Sequence, residues 1–146
     1  MNTPVILPPP AIAQRLGYCA LLPFLVGTFA LGWPLDIASV FAANLLSAYA
    51  AVVLSFIGAI HWGLGMRLAT PQSSLFVWGV VPSIVACAAQ ALPVTWDLLC
   101  HALMLVVCYG IDRQVYPQHA VQTWLPLRLH LTAVATLCCL VGAAAA

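Results

Sequence analysis

The sequence contains neither lysine nor glutamate, and only 5% of its 146 residues are charged. Soluble domains commonly carry charge on about a quarter of their residues, so this chain lacks the polar surface that keeps a soluble domain in solution. Its cations are four scattered arginines, which form no basic patch for a nucleic acid. With 64% hydrophobic residues, the composition favours a protein whose partner is the lipid bilayer.

Sequence patterns typical of enzymes and of metal sites are also missing. The chain has no Walker loop, no GxSxG, no HExxH, no CxxC and no pair of acidic residues within one apolar stretch. Its cysteines fall mostly in apolar stretches, where cysteine packs as a small hydrophobe. We therefore predict no enzymatic activity, no cofactor and no metal site.

Apolar stretches between the prolines and the charged residues define the predicted fold. Crossing the hydrocarbon core takes about 20 helical residues, so five crossings nearly use up the chain. The sequence predicts an all-α, polytopic membrane bundle formed by one domain, residues 15–146, after a disordered proline-rich leader, residues 1–14. The five predicted spans are residues 16–33, 38–66, 75–92, 98–111 and 126–145.

The arginines predict the orientation of these spans. Threading the five spans back and forth places Arg15, Arg67, Arg113 and Arg128 on one side of the membrane. The positive-inside rule makes that side cytoplasmic. The amino terminus is then inside, the carboxyl terminus is outside, and residues 112–125 form the longest connection on the cytoplasmic side.

Two prolines and a row of small residues mark the helix interiors. Pro23 and Pro82 lie roughly 10–12 Å deep from the arginine side, and each is predicted to kink its helix and free a backbone carbonyl. In the second span, small residues recur every fourth position, which favours close helix packing at the centre of the bundle. These residues are Ser47, Ala51, Ser55, Ala59 and Gly63.

His61 is the leading candidate for a functional residue, and the other candidate functional or structural polar residues are Ser55, Trp62, Asp112, Arg113 and Arg128. It lies roughly 8 Å inside the second span, and an ionisable residue at that depth is costly to keep. We favour a neutral histidine that donates to a carbonyl freed by a proline, at Cys19 or Trp78. The alternative is a role in proton or ligand handling, and a haem held by His61 and His130 is a weaker alternative.

The aspartates suggest further polar contacts. Asp112 is predicted to form an interhelical ion pair with Arg128 or Arg15 rather than with its neighbour Arg113. A stripe on the fourth helix, formed by Asp97, His101, Cys108 and Asp112, resembles a proton relay. We favour the simpler interpretation that the two aspartates are helix-end carboxylates in headgroup water.

Several segments carry a resemblance to a family. They are Leu16-Gly17-Tyr18 through Pro23-Phe24, Tyr49 through Ser55 to His61-Trp62-Gly63, Trp78 through Pro82-Ser83, Tyr109 through Asp112-Arg113, and Trp124 through Arg128. The chain resembles the small bacterial inner-membrane proteins of unknown function related to mitochondrial transmembrane protein sixty-nine. The resemblance implies a multi-pass helical protein of the bacterial inner membrane, and it implies no activity.

These observations lead to three functional hypotheses. The first is an accessory or assembly partner that acts by helix contacts with other membrane proteins. The second is a small permease or proton-handling protein that uses His61, and the third is a haem or quinone redox protein. The sequence leaves the oligomeric state open.

Overall fold

The computed structural model describes residues 7–31 and 36–146, with the side chains of residues 36–38 excepted. Over these ranges the chain is helical, with a short 3-10 helix at Gln122–Trp124 and no strand. The all-α prediction is thus confirmed. The helices are α1 (Ala11–Cys19), α2 (Leu22–Leu31), α3 (Asp36–Met66), α4 (Ser73–Ala89), α5 (Val94–Gln118) and α6 (Leu125–Ala145).

Four helical stretches are long and apolar enough to cross a membrane. They are Ala11–Leu31, Ser39–Met66, Val94–Gln118 and Gln122–Ala145. The third predicted span corresponds to α4, which is apolar but has only 17 residues. Length and composition are therefore consistent with a membrane protein and identify four candidate spans where the sequence predicted five.

The leader is shorter than predicted. Pro10 has an extended backbone (φ −63°, ψ 152°), and α1 begins directly after it. The amide of Gln14 donates to the carbonyl of Pro10 at 3.1 Å, and its side chain donates to the carbonyl of Pro9 at 2.9 Å. Proline is tolerated at a helix start because a backbone N–H at that position would have no acceptor within the helix. The prediction of a disordered segment is wrong for residues 11–14, and residues 1–6 lie outside the described part.

The fourth predicted span is too short, and the predicted long loop is largely helical. Helix α5 continues past Asp112 to Gln118, and only residues 119–121 separate it from the 3-10 helix. The predicted span ended at residue 111 because the charged residues Asp112 and Arg113 follow it. Asp112 is buried against Arg128, so the charge does not end the helix.

The two internal prolines differ in their surroundings. The first span is interrupted at Ala20 and Leu21, directly before α2, which contains Pro23 in its first turn. Tyr49 of α3 donates its hydroxyl to the carbonyl of Ala20 at 2.9 Å, which satisfies one acceptor at this break. Helix α4 remains helical through Pro82, which is buried.

Helix α3 is the centre of the packing, in contact with α2, α4, α5 and α6. It approaches α4 closely, because a β-carbon on Gly58 would collide with the carbonyl oxygen of Gly79. The predicted small-residue row does not make this contact, since Ser47 is buried whereas Gly63 is exposed. A four-residue repeat drifts about 40° per step around a helix, so the row turns away from the bundle.

Candidate functional site

Three charged or ionisable side chains meet inside the bundle. Arg128 directs Nε and Nη2 to Oδ2 of Asp112, at 2.9 Å and 2.8 Å. Nε2 of His61 lies 3.5 Å from the other carboxylate oxygen, which is longer than a well-formed hydrogen bond. His61 and Asp112 are fully buried, and Arg128 is 8% exposed. We call this group the arginine-end cluster.

The arginine-end cluster ties several helices together. His61 comes from α3, Asp112 from α5 and Arg128 from α6. The rings of Trp78 from α4 and Tyr116 from α5 flank His61, with centroids 6.5 Å and 6.4 Å from its own. Every long helix of the bundle therefore contributes to the surroundings of the imidazole.

A second polar group occupies the opposite end of α5. Nδ1 of His101 lies 3.1 Å from Oδ1 of Asp97, one turn earlier on the same helix. Ser47 of α3 donates its hydroxyl to the other oxygen of Asp97, and it accepts a hydrogen bond of 2.6 Å from the side-chain amide of Gln90, just after α4. Ser47, Asp97 and His101 are all at least 97% buried. We call these four residues the distal cluster.

The prediction that both aspartates lie in headgroup water is wrong. Asp97 and Asp112 are 3% and 0% exposed. One oxygen of each carboxylate accepts a hydrogen bond from another helix, from Ser47 and from Arg128 respectively. His101 and Cys108 are buried as well, so the polar stripe of α5 faces the bundle. Asp97 and Asp112 are about 22 Å apart along the helix. The turns between His101 and Cys108 contribute the apolar side chains Met104 and Leu105, so the stripe is no continuous polar path.

The surroundings of His61 differ from both arrangements that the sequence predicted, a bond to a freed carbonyl and a haem site shared with His130. Its Nε2 faces the carboxylate of Asp112 rather than a backbone carbonyl at Cys19 or Trp78. His130 is exposed and shares a hydrogen bond of 3.1 Å with the hydroxyl of Tyr18. Because the two histidines face different surroundings, the geometry for a haem held by both is missing.

The other predicted site residues stay outside the cluster. Ser55 donates to the carbonyl of Ala51 on its own helix at 3.0 Å. Trp62 is exposed and donates from its indole to the carbonyl of Phe76 at 2.9 Å. Arg113 is exposed on α5.

Beside the arginine-end cluster runs a surface groove between α1, α3 and α6. It consists of two adjoining cavities of about 300 and 620 Å³. Both are lined by Gly17 and Ala20 on one wall, Phe56 on the second, and Arg128 and Leu131 on the third. We call this feature the lateral groove. Arg67, Tyr116 and Trp124 line only its larger cavity.

Comparison with known protein families assigns the chain to a family. A family model described as "Protein of unknown function (DUF3429)" matches residues 9–144. The chain belongs to this family. The match includes both polar clusters and the lateral groove. Comparison with curated proteins and with solved structures found no match.

Proposed function

We propose that this protein is a multi-pass protein of the bacterial inner membrane with five crossing helices. In this arrangement the arginine end faces the cytoplasm, the amino terminus is inside and the carboxyl terminus is outside. The lining of the lateral groove supports the placement of the arginines on one side of the membrane, because Arg67 and Arg128 line the same cavity. The likeness to mitochondrial transmembrane protein sixty-nine remains a prediction from the sequence.

Contacts of α4 support the fifth crossing despite its length. At one end Trp62 of α3 bonds to Phe76, and at the other end Gln90 bonds to Ser47 of α3. The α3 segment between these contacts is about 22 Å long, and the α4 segment is about 21 Å. The two segments lie side by side and run in opposite directions. Helix α4 therefore crosses the same layer that α3 crosses between Ser47 and Trp62.

The function that we propose is that of an accessory or assembly partner that acts through contacts within the membrane. One observation carries the proposal. In each buried polar cluster, side chains of different helices contact one another, whereas the outward faces of the helices are apolar. Representative exposed side chains are Val26 on α2, Phe56 on α3, Val77 on α4, Leu103 on α5 and Leu137 on α6. Such a molecule offers other proteins a shaped apolar surface rather than a reactive group.

Site-specific photo-crosslinking in the native membrane tests this role. A photoreactive residue is introduced in turn at Val26, Gly63, Leu103 and Leu137, which are exposed positions on four different helices. A contact partner predicts a protein adduct from one helix face and lipid adducts from the other positions. Lipid adducts alone from all four positions, together with a protein that always purifies alone in mild detergent, would contradict the proposal.

Proton handling at His61 is the second candidate, and one observation favours it. The imidazole lies 3.5 Å from a buried carboxylate, and neither of its ring nitrogens has a hydrogen-bond partner of good geometry among the described residues. Purified His61→Ala protein in liposomes should then lose a proton flux while it keeps its helical content. His130→Ala, at an exposed histidine, is the matched control. Loss of folding in His61→Ala would assign His61 a structural role instead.

A further inference from the structure

The lateral groove has apolar walls and a charged end. Its smaller cavity is lined mainly by aliphatic and aromatic residues such as Phe24, Val53 and Ala135. Its larger cavity extends to Arg67 at the end of α3 and to Trp124 at the start of α6. From Trp124 to Ala135 the groove follows roughly 16 Å of α6, so its long dimension runs along the helix.

All the charged groups that line the groove have the same sign. Arg67 and Arg128 contribute their side chains, and neither of the described aspartates, Asp97 and Asp112, lines either cavity. Asp112 lies behind Arg128 and neutralises it. Arg67 is exposed, and its guanidinium makes no ion pair or hydrogen bond with the residues that the structure describes. Within the described part of the chain, the groove therefore ends at a cation that has no acidic partner.

We propose that the lateral groove binds an anionic phospholipid, with one acyl chain along α6 and the phosphate at Arg67. Apolar walls recognise the chain through burial of its methylene groups. An anionic headgroup is preferred over a zwitterionic one because the end of the groove carries positive charge and no acidic side chain. The proposal requires membrane insertion and goes beyond the accessory role, on which it does not depend.

Native mass spectrometry of the purified full chain tests the headgroup preference. The protein is exchanged into micelles containing phosphatidylglycerol and phosphatidylcholine with identical acyl chains. We expect phosphatidylglycerol to be retained preferentially and Arg67→Gln to weaken its binding about fivefold, the effect of about one arginine near an anionic lipid. Arg113→Gln is the matched control, since Arg113 is exposed at the same end but does not line the groove.

Two results of that experiment would overturn the proposal. Equal retention of both lipids would show an apolar surface without headgroup recognition. Equal weakening by Arg67→Gln and Arg113→Gln would show attraction to general surface charge. Circular dichroism of each variant confirms that the helices are intact.

A second measurement locates the lipid. Ala20→Phe places a ring in the groove and should reduce the bound phosphatidylglycerol, whereas Cys19→Phe, at an exposed neighbour that does not line the groove, should not. A benzophenone side chain in place of Phe56 should form adducts with phosphatidylglycerol. Adducts with residues 1–6 or with a second copy of the chain would assign the groove another occupant and refute the proposal.

Discussion

At the scale of single residues, the carboxylate of Asp112 organises the arginine-end cluster. One of its oxygens accepts a hydrogen bond from Nε of Arg128 and lies 2.8 Å from Nη2 of the same guanidinium, and the other oxygen faces His61. Removing two charges from water is costly, and their attraction offsets that cost only while both partners are present. Loss of one partner leaves an uncompensated buried charge, whereas loss of both does not.

This asymmetry predicts the behaviour of a double-mutant cycle. Asp112→Leu and Arg128→Leu should each lower the free energy of unfolding by about 3–5 kcal/mol, and the double variant should recover most of that loss. Unfolding by SDS in mixed micelles, followed by circular dichroism, measures the change. Arg113→Leu, at an exposed arginine, is the control and should change little. A double variant that loses the sum of the single losses would contradict the ion pair.

The distal cluster gives a second prediction at this scale. Ser47→Ala removes a donor to the carboxylate of Asp97 and the acceptor of Gln90. We expect it to lower the free energy of unfolding by about 1–3 kcal/mol because a buried charged group loses a partner. Ser55→Ala is the matched control, since that hydroxyl bonds only within α3. Equal effects of the two substitutions in the same unfolding assay would refute the cluster.

The sequence could predict part of these two clusters. It predicted the pairing of Asp112 with Arg128 but left Arg15 as an equal alternative, because it cannot show that Arg15 lies exposed on α1. The spacing of Asp97 and His101 was visible, but the direction that this face takes in the bundle was not. Ser47 joins them from a distant helix, and local patterns carry no information about such contacts.

At the scale of helices, the contact between α3 and α4 depends on two glycines. A β-carbon on Gly58 would collide with the backbone oxygen of Gly79, and one on Gly79 would collide with the indole of Trp62 and lie 2.9 Å from the backbone oxygen of Gly58. Backbone atoms cannot move aside as the end of a flexible side chain can. The close approach of the two helices therefore requires the absence of side chains at both positions.

Alanine substitutions test this contact. Gly58→Ala should lower the free energy of unfolding by about 1–3 kcal/mol, since overpacking forces the two helices apart. Gly63→Ala on the same helix has nothing within 4 Å of the new β-carbon and should be neutral or stabilise by up to about 1 kcal/mol. Thermal unfolding in detergent compares the two variants. A Gly58→Ala protein as stable as the Gly63→Ala protein would disprove the close contact.

The sequence predicted helix ends correctly only where residues close to the end in the chain determine it. The helical part of the second predicted span ends at Met66 as predicted, and α6 begins within one residue of the prediction. The extent of α5 was not predictable from local charge, because its length depends on the partner of Asp112. The small-residue row gave the right central helix but the wrong contact, since its repeat does not match the helical period.

At the scale of the whole molecule, the two polar clusters mark opposite ends of one bundle. His61 of α3 and Asp112 of α5 meet at one end, and Ser47 and Asp97 of the same helices meet at the other. Helices α3 and α5 therefore run in the same direction, and α4 returns the chain between them. This arrangement supports the proposed five crossings, although α4 alone is short for a membrane span.

Reporter fusions to successive truncations of the chain test the five-crossing topology most directly. A reporter active only in the cytoplasm and one active only outside are fused after Ala69, after Leu92, after Ala120 and after Ala146. With five crossings, the four fusion points should lie inside, outside, inside and outside. A fusion after Leu92 that reports the same side as the fusion after Ala69 would show that α4 does not cross, and it would contradict the account.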